Sequence, residues 1–281
     1  MKPVDRTVVQ RRDGILMAWV LPLLLGTIWA LFSPPAAAQF AAYVIPARFE
    51  LNTQPGNIVK EVLEIGNDDI KGADYTVKTA DWILRPDAGV DFNTDDLAPD
   101  SCRPWVRLER LTVRVAGKGK RRYRFEVHVP KDAKPGLCRF AIMLEATDAS
   151  VPAQIGNIQL PILGRIGVIV YLRIGDAKPA LNLEGIETRQ VNGRATPVAL
   201  FRNTGSAHAR PEGMLAGVDG KGTTLDFSVS PLPVLPGELR AIPLWPQGDA
   251  GKSLVLNFPL KLSGVIEWEG GKAKVESTLA K

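Results

Sequence analysis

The chain has 281 residues, of which 45% are hydrophobic and 23% charged, and a formal net charge of +5. This length suits two domains of roughly 100–140 residues each, and this composition excludes a chain that is disordered throughout. The weak positive charge argues against a nucleic-acid partner. Two cysteines and two histidines are too few for a zinc or iron–sulfur centre with several such ligands. The sequence therefore predicts neither a metal nor a cofactor.

The first 38 residues have the order of a secretory signal peptide. Basic residues precede an apolar run, Ile15–Phe32, and the small residues Ala36 and Ala38 follow it. The basic residues are Lys2, Arg6, Arg11 and Arg12. This order predicts export and cleavage before Gln39. An uncleaved membrane anchor is the alternative, because the run is near the minimum length for crossing a bilayer. The paired arginines leave the export route open between general secretion and the twin-arginine system.

Cys102 and Cys138 are the two cysteines of the chain. In an oxidising compartment the default for such a pair is a disulfide, which would stabilise the fold by about 4 kcal/mol on the chain-entropy model. Two buried free thiols are the alternative. The pair lacks C-x-x-C spacing and has no adjacent basic cluster, which argues against redox catalysis. We therefore expect a structural disulfide.

The remaining chain shows the alternation that is typical of β-strands. In Arg122–Val129 apolar and polar residues alternate, and a long apolar stretch occupies Ile158–Ile174. Asp176–Pro179 has the composition of a linker. The sequence therefore predicts an all-β chain with two tandem immunoglobulin-like β-sandwich domains, residues 39–175 and residues 176–281.

The two halves repeat the same order of features. In each, a strand ends in asparagine at a turn, within Ile65–Asn67 and within Phe201–Asn203. A glycine turn then opens a strand that carries arginine, within Gly119–Arg124 and within Pro236–Arg240. The interval between these features is longer in the first half, and we place the additional residues in the loop Leu84–Pro104.

Several stretches resemble the first domain of periplasmic pilus chaperones of the PapD type. They are Pro46–Leu51, Val62–Asn67, Ala80–Trp82, Val129–Arg139 and Ile158–Tyr171. The second half, with Asn203–Gly213 and Leu235–Gly237, is similar to the second domain of PapD-like proteins. The resemblance implies a non-enzymatic periplasmic chaperone that lends a strand to exported pilin-like subunits, with an outer-membrane usher as a further partner.

The resemblance also implies site residues. The alternating donor set comprises Ile158, Leu160 and Ile162. The first of two basic residues that hold the subunit's terminal carboxylate falls on Arg48. The second aligns with Gly167, which has no side chain. Arg165 lies two residues earlier on the same face of the strand, so either Arg165 substitutes or this second anchor is lost. Pro161 departs from the family pattern, since it removes a backbone donor from a pairing strand.

Plainer interpretations exist for the charged residues. Arg48 can be an ordinary surface arginine, and the basic run Lys118–Arg124 is best read as a solvated hairpin. Asp91–Asp95 begins like a calcium loop but is not followed by the required glycine and glutamate. Neither His128 nor His208 stands in a catalytic motif, so we expect no enzyme and no small-molecule substrate. The alternative function is a structural or adaptor protein of the cell envelope.

Overall fold

The computed structural model describes residues 41–147, 151–155, 158–162, 164–248 and 256–280, with the backbone alone in the second and third of these ranges. The chain from residue 40 onward forms one compact unit. In the part that the structure describes, no helix is long and apolar enough to span a membrane.

Strands make up nearly all the regular structure of the first half. They are β1 (Ala42–Ile45), β2 (Arg48–Thr53), β3 (Ile58–Asn67), β4 (Ala73–Leu84), β5 (Val90–Asn93), β6 (Val106–Leu108), β7 (Thr112–Val115), β8 (Lys120–His128), β9 (Gly136–Ala146), β10 (Val151–Ile155), β11 (Ile158–Ile162) and β12 (Arg165–Ile174). A 3₁₀ turn, Arg103–Trp105, precedes β6. The predicted all-β class is confirmed.

Two sheets enclose the first core. One has the order β1-β3-β8-β6, and the other has the order β2-β12-β9-β4-β5, with β7 also paired to β4. The alternation in β8 buries Tyr123, Phe125 and Val127 between the sheets, as the sequence predicts. Phe125 contacts Phe49 of β2 and Phe140 of β9 edge to face, with ring centroids 5.3 and 6.2 Å apart. These aromatic contacts tie the two layers together.

The chain changes sheets between β1 and β2, at Pro46. β1 pairs with β3, whereas β2 pairs in parallel with β12, beginning at Arg48 opposite Ile169. On its other side, β12 pairs with β9 from Arg165 onward. Among the described residues, therefore, the stretch 165–168 of β12 has a strand partner on one side only. We call this stretch the open edge.

Between β9 and β12 the chain forms a further hairpin. Strands β10 and β11 pair antiparallel with each other, from Val151 opposite Ile162 to Ile155 opposite Ile158, and form a separate two-stranded sheet. The backbone of the predicted donor residues lies in β11. The side chains of Ile158, Leu160 and Ile162 are outside what the structure describes.

The structure contains the Cys102–Cys138 disulfide, with the two Cα atoms 5.6 Å apart. Both cysteines are buried in the first core. The bond joins the residue before the 3₁₀ turn to β9, and so ties the long β5–β6 connection to the sheet.

The second half folds around its own core. Its strands are β13 (Leu181–Val191), β14 (Arg194–Asn203), β15 (Met214–Val218), β16 (Thr224–Val229), β17 (Leu239–Pro246), β18 (Leu260–Trp268) and β19 (Gly271–Leu279). They follow one hydrogen-bonded order, β13-β14-β17-β16-β15-β18-β19, that wraps around a separate apolar cluster.

The repeat seen in the sequence has a structural cause. Asn67 and Asn203 are both buried, 2% and 1% exposed. The Asn67 side-chain amide donates to the carbonyl of Lys71 at 2.8 Å, and that of Asn203 donates to the carbonyl of Ala207 at 2.8 Å. Each asparagine thus satisfies backbone groups of the turn that follows it, at the same point of its half.

Candidate functional site

The outer face of the β2–β12 sheet carries the candidate site. Because side chains alternate along a strand, Phe49 points into the core while Arg48, Glu50 and Asn52 point outward. Their neighbours in β12 are alternate residues of the same outward face. This face borders the second half of the chain, which supplies the remaining groups.

Glu50 collects basic groups from both halves. Its carboxylate lies 3.1 Å from Nε of Arg48, 3.1 Å from a terminal nitrogen of Arg210 and 2.7 Å from Nε2 of His208. Burial raises the pKa of Glu50, but hydrogen bonds and charge interactions with His208 and Arg210 outweigh burial and lower this pKa from 4.5 to about 2. The carboxylate is therefore ionised over the whole physiological range.

His208 is the most buried member of this cluster, with a side chain that is 6% exposed. Its ring stacks on the ring of Tyr171 of β12 with centroids 4.1 Å apart. The Arg210 guanidinium lies 5.4 Å from the centroid of the Tyr171 ring. A stacked ring and a cation over an aromatic face both stabilise this contact. The second half is thereby held against β2 and β12.

A second ion pair links the halves beside this cluster. Arg173 of β12 donates both terminal nitrogens to the Glu269 carboxylate, at 2.6 and 2.8 Å. The hydrogen bond from Arg173 also lowers the pKa of Glu269 below its ordinary value. A cleft of about 300 Å³ lies between the two pairs and is lined by Glu50, Tyr171, Arg173, His208 and Glu269, among others.

The end of β4 and the short strand β5 fold over the same outer face. β4 pairs with β9 only as far as Ala80, and its last residues pair with β5. Trp82 donates its indole N–H to the carbonyl of Phe140 at 3.2 Å and meets Tyr171 edge to face at 5.2 Å. We call residues 81–93 the platform, because they form a layer above β9 and β12.

The platform reaches the open edge through Phe92. Three atoms of the Phe92 ring lie 2.3, 2.6 and 3.0 Å from the point where a Cβ on Gly167 would stand. Any side chain at position 167 would collide with this ring, so the close approach requires glycine. The structure thus explains why this position has no basic residue.

Arg103 holds the platform from one end. Its guanidinium is 13% exposed, pairs with Asp81 at 3.3 Å and donates to the carbonyls of Thr94 at 2.7 Å and Asp96 at 3.1 Å. Arg103 follows the disulfide-bonded Cys102 directly. The covalent bond and the arginine therefore fix the same segment.

Arg240 holds the platform from the second half. Its side chain is 6% exposed and donates to the carbonyls of Leu84 at 2.8 Å and Arg85 at 3.1 Å. Leu235 packs against the apolar cluster beneath the platform. The platform is thus clamped between the two halves.

The sequence-predicted basic residues lie on this face. Arg48 is 52% exposed and begins β2 where the open edge stops. Arg165 is exposed at the start of β12, opposite Glu145. Arg165 lies four residues, roughly 13 Å along the strand, before Ile169, the residue that pairs with Arg48. Sequence reasoning missed Glu50 and Arg240, whose partners are far away in the chain.

Comparison with known proteins finds similarity in three-dimensional structure. No protein-family model matches the chain, and no curated protein matches it. The similar solved structures include chaperones. The YadV chaperone is 9% identical with a TM-score of 0.46, and the match covers 85% of this chain and 100% of that one. The Escherichia coli chaperone DraB is 15% identical with a TM-score of 0.42, over 86% and 97% of the two chains.

A third similar structure is that of the Salmonella enterica SafA pilin in complex with the SafB chaperone. It is 13% identical with a TM-score of 0.45, and the match covers 87% of this chain and 99% of that one. The all-β fold itself rests on the sheet orders and the two cores described above.

Proposed function

We propose that the protein is a non-enzymatic, periplasmic chaperone of pilus assembly that binds exported pilin-like subunits by strand addition at β12. The observation that supports this most directly is the open edge, residues 165–168, whose backbone pairs with β9 on one side only among the described residues. An unpaired strand edge presents N–H and C=O groups that an incoming strand can bind.

Arg48 stands where such an incoming strand would end. The added strand would lie in line with β2, and Ala47 already accepts a hydrogen bond from the N–H of Ile169 at 3.2 Å. The client chain must therefore stop or turn beside Arg48. A chain that stops there brings a terminal carboxylate to a guanidinium that is 52% exposed, and such forks bind carboxylates well. Arg165 is the second basic group of this proposal, at the other end of the open edge.

The donor residues Ile158, Leu160 and Ile162 remain part of the proposal. Their backbone lies in β11, in the hairpin that leads into the open edge. Pro161 lies opposite Pro152 in that hairpin. Alternating apolar side chains on one strand are what a client groove needs.

The first experiment replaces Arg48. In Arg48→Ala we expect the affinity for a co-expressed pilin-like subunit to fall about tenfold or more, about 1.5–3 kcal/mol, because a charge-assisted bond is lost. Binding is measured by titration of the purified proteins. The matched control is Arg124→Ala, which removes another exposed arginine, from the opposite sheet. Equal affinity of wild type and Arg48→Ala would contradict the anchor role.

A second experiment separates the chaperone from a structural protein of the envelope. If Leu160 enters a client groove, Leu160→Ala should cost about 2–3 kcal/mol of subunit binding and little stability. If Leu160 is a core residue, the same change should lower the free energy of unfolding by about 2–5 kcal/mol. A large loss of stability, with no subunit bound by the wild type, would favour the structural role.

A further inference from the structure

We propose that the platform selects the client: Phe92 contacts the side chain that an added strand places beside Gly167, and it favours an apolar or aromatic residue there. This inference rests on strand addition at the open edge, the proposed function.

The contact follows from the position of the ring. Phe92 fills the space where a side chain of residue 167 would stand, with its nearest atom 2.3 Å from the ideal Cβ position. A residue added opposite Gly167 on the outer face would have its Cβ about 4.5–5.5 Å from that same position. Its nearest side-chain neighbour is therefore the Phe92 ring.

The ring is available because it is only partly buried. Its inner side packs on the cluster under the platform, which includes Trp82 and Met143. An apolar client side chain would extend this cluster and remove further apolar area from water. A carboxylate side chain would lose water at this position, and the face of an aromatic ring offers it no compensating partner.

The platform is also held rigidly, so that little entropy is lost when it makes the contact. Arg103 bonds the carbonyls that follow β5, and Arg240 bonds the carbonyls that end β4. Phe92 lies between these two points, directly opposite Trp82. A ring fixed in this way selects by shape and polarity.

The test uses peptides of about ten residues, with alternating Val and Thr and a free terminal carboxylate. In one pair of peptides the last residue is Phe or Ser. In the other pair the last but one residue is Phe or Ser. Since neighbours in a strand face opposite sides, only one of these positions meets Phe92. At that position we expect the wild-type protein to bind the Phe peptide about fivefold to tenfold more tightly than the Ser peptide.

In Phe92→Ala this preference should fall below about twofold, while the Ser peptide binds as before. The matched control is Ile83→Ala, which truncates a 65%-exposed apolar residue of the same platform and should leave the preference intact. Because Phe92→Ala leaves a hole, Phe92→Ala/Gly167→Ala provides a filled variant, in which the new methyl group occupies the vacated space. It should show the same loss of preference.

The outcomes separate the two proposals. A preference for Phe that persists in both Phe92 variants overturns the selection by Phe92 and leaves strand addition standing. Equal binding of all peptides to the wild type does the same. Binding of no peptide at all overturns strand addition, and the selection with it.

Discussion

At the scale of single residues, Glu50 makes the free energy of unfolding depend on pH in the acid range. Its pKa is about 2 in the folded protein and near 4.5 when unfolded, so its contribution is complete above pH 4.5 and is lost as the pH falls towards 2. The shift alone corresponds to about 3 kcal/mol, and solvent screening reduces this to about 1–2 kcal/mol. Glu50→Gln should remove this contribution, as measured by urea unfolding between pH 2 and pH 7.

The control for this prediction is Glu276→Gln, at an ion pair with Lys274 in which both side chains are more than two-thirds exposed. Exposed pairs contribute little, so the control should unfold like the wild type at every pH. A Glu50→Gln variant with an unchanged acid profile would show that His208 and Arg210 do not stabilise the carboxylate.

Some residue contacts can be predicted from the sequence, and others cannot. The buried face of β8 follows from the alternation of apolar and polar residues along the strand. The disulfide follows from the presence of two cysteines in a chain predicted to be exported. Both are local or compositional properties of the sequence. His208 and Glu50 are 158 positions apart, and their hydrogen bond depends on how the two halves meet. No pattern within one strand encodes such a contact, so the sequence predicted Arg48 and missed its neighbour.

At the scale of elements, Arg240 joins β17 to the platform. Arg240→Met keeps the apolar stem and removes the donors to Leu84 and Arg85, and it leaves Glu238 without its guanidinium partner. We expect a loss of about 2–4 kcal/mol in the free energy of unfolding, because buried polar groups lose their partners. Amide hydrogen exchange should become faster in residues 84–89.

The comparison variant is Arg202→Ala, whose guanidinium pairs with Glu184 at the surface and should contribute less than about 1 kcal/mol. Equal stability losses in the two variants would argue against a clamp. The platform itself was predicted only as an inserted loop, Leu84–Pro104. A four-residue strand such as β5 is too short for a convincing alternation, whereas the nine-residue strand β8 shows it clearly.

At the scale of the molecule, polar contacts among the described residues join the halves at three places: Glu50 with His208 and Arg210, Arg173 with Glu269, and Arg240 with the carbonyls at the end of β4. We therefore expect one calorimetric unfolding transition in the wild type. Arg173→Ala/Arg240→Met should split it into two, as each half keeps its own core. Two transitions in the wild type would contradict this coupling.

The all-β class could be predicted because strands such as β8 and β15 bury alternate residues in a local core. The repeated asparagine turns also show that both halves share one plan. The placement of the halves was not predictable, since it depends on a few long-range polar contacts and on a platform that has no counterpart among the described residues of the second half.

The Cys102–Cys138 bond has a consequence for maturation. Because Cys102 is followed directly by Arg103, the bond fixes the segment that holds the carbonyls of Thr94 and Asp96. A reduced chain can still close its sheets through apolar burial, but its platform then lacks the covalent tie beside Arg103. Under the proposed function, oxidation of Cys102 and Cys138 would therefore set when a newly made molecule becomes competent to recognise a client.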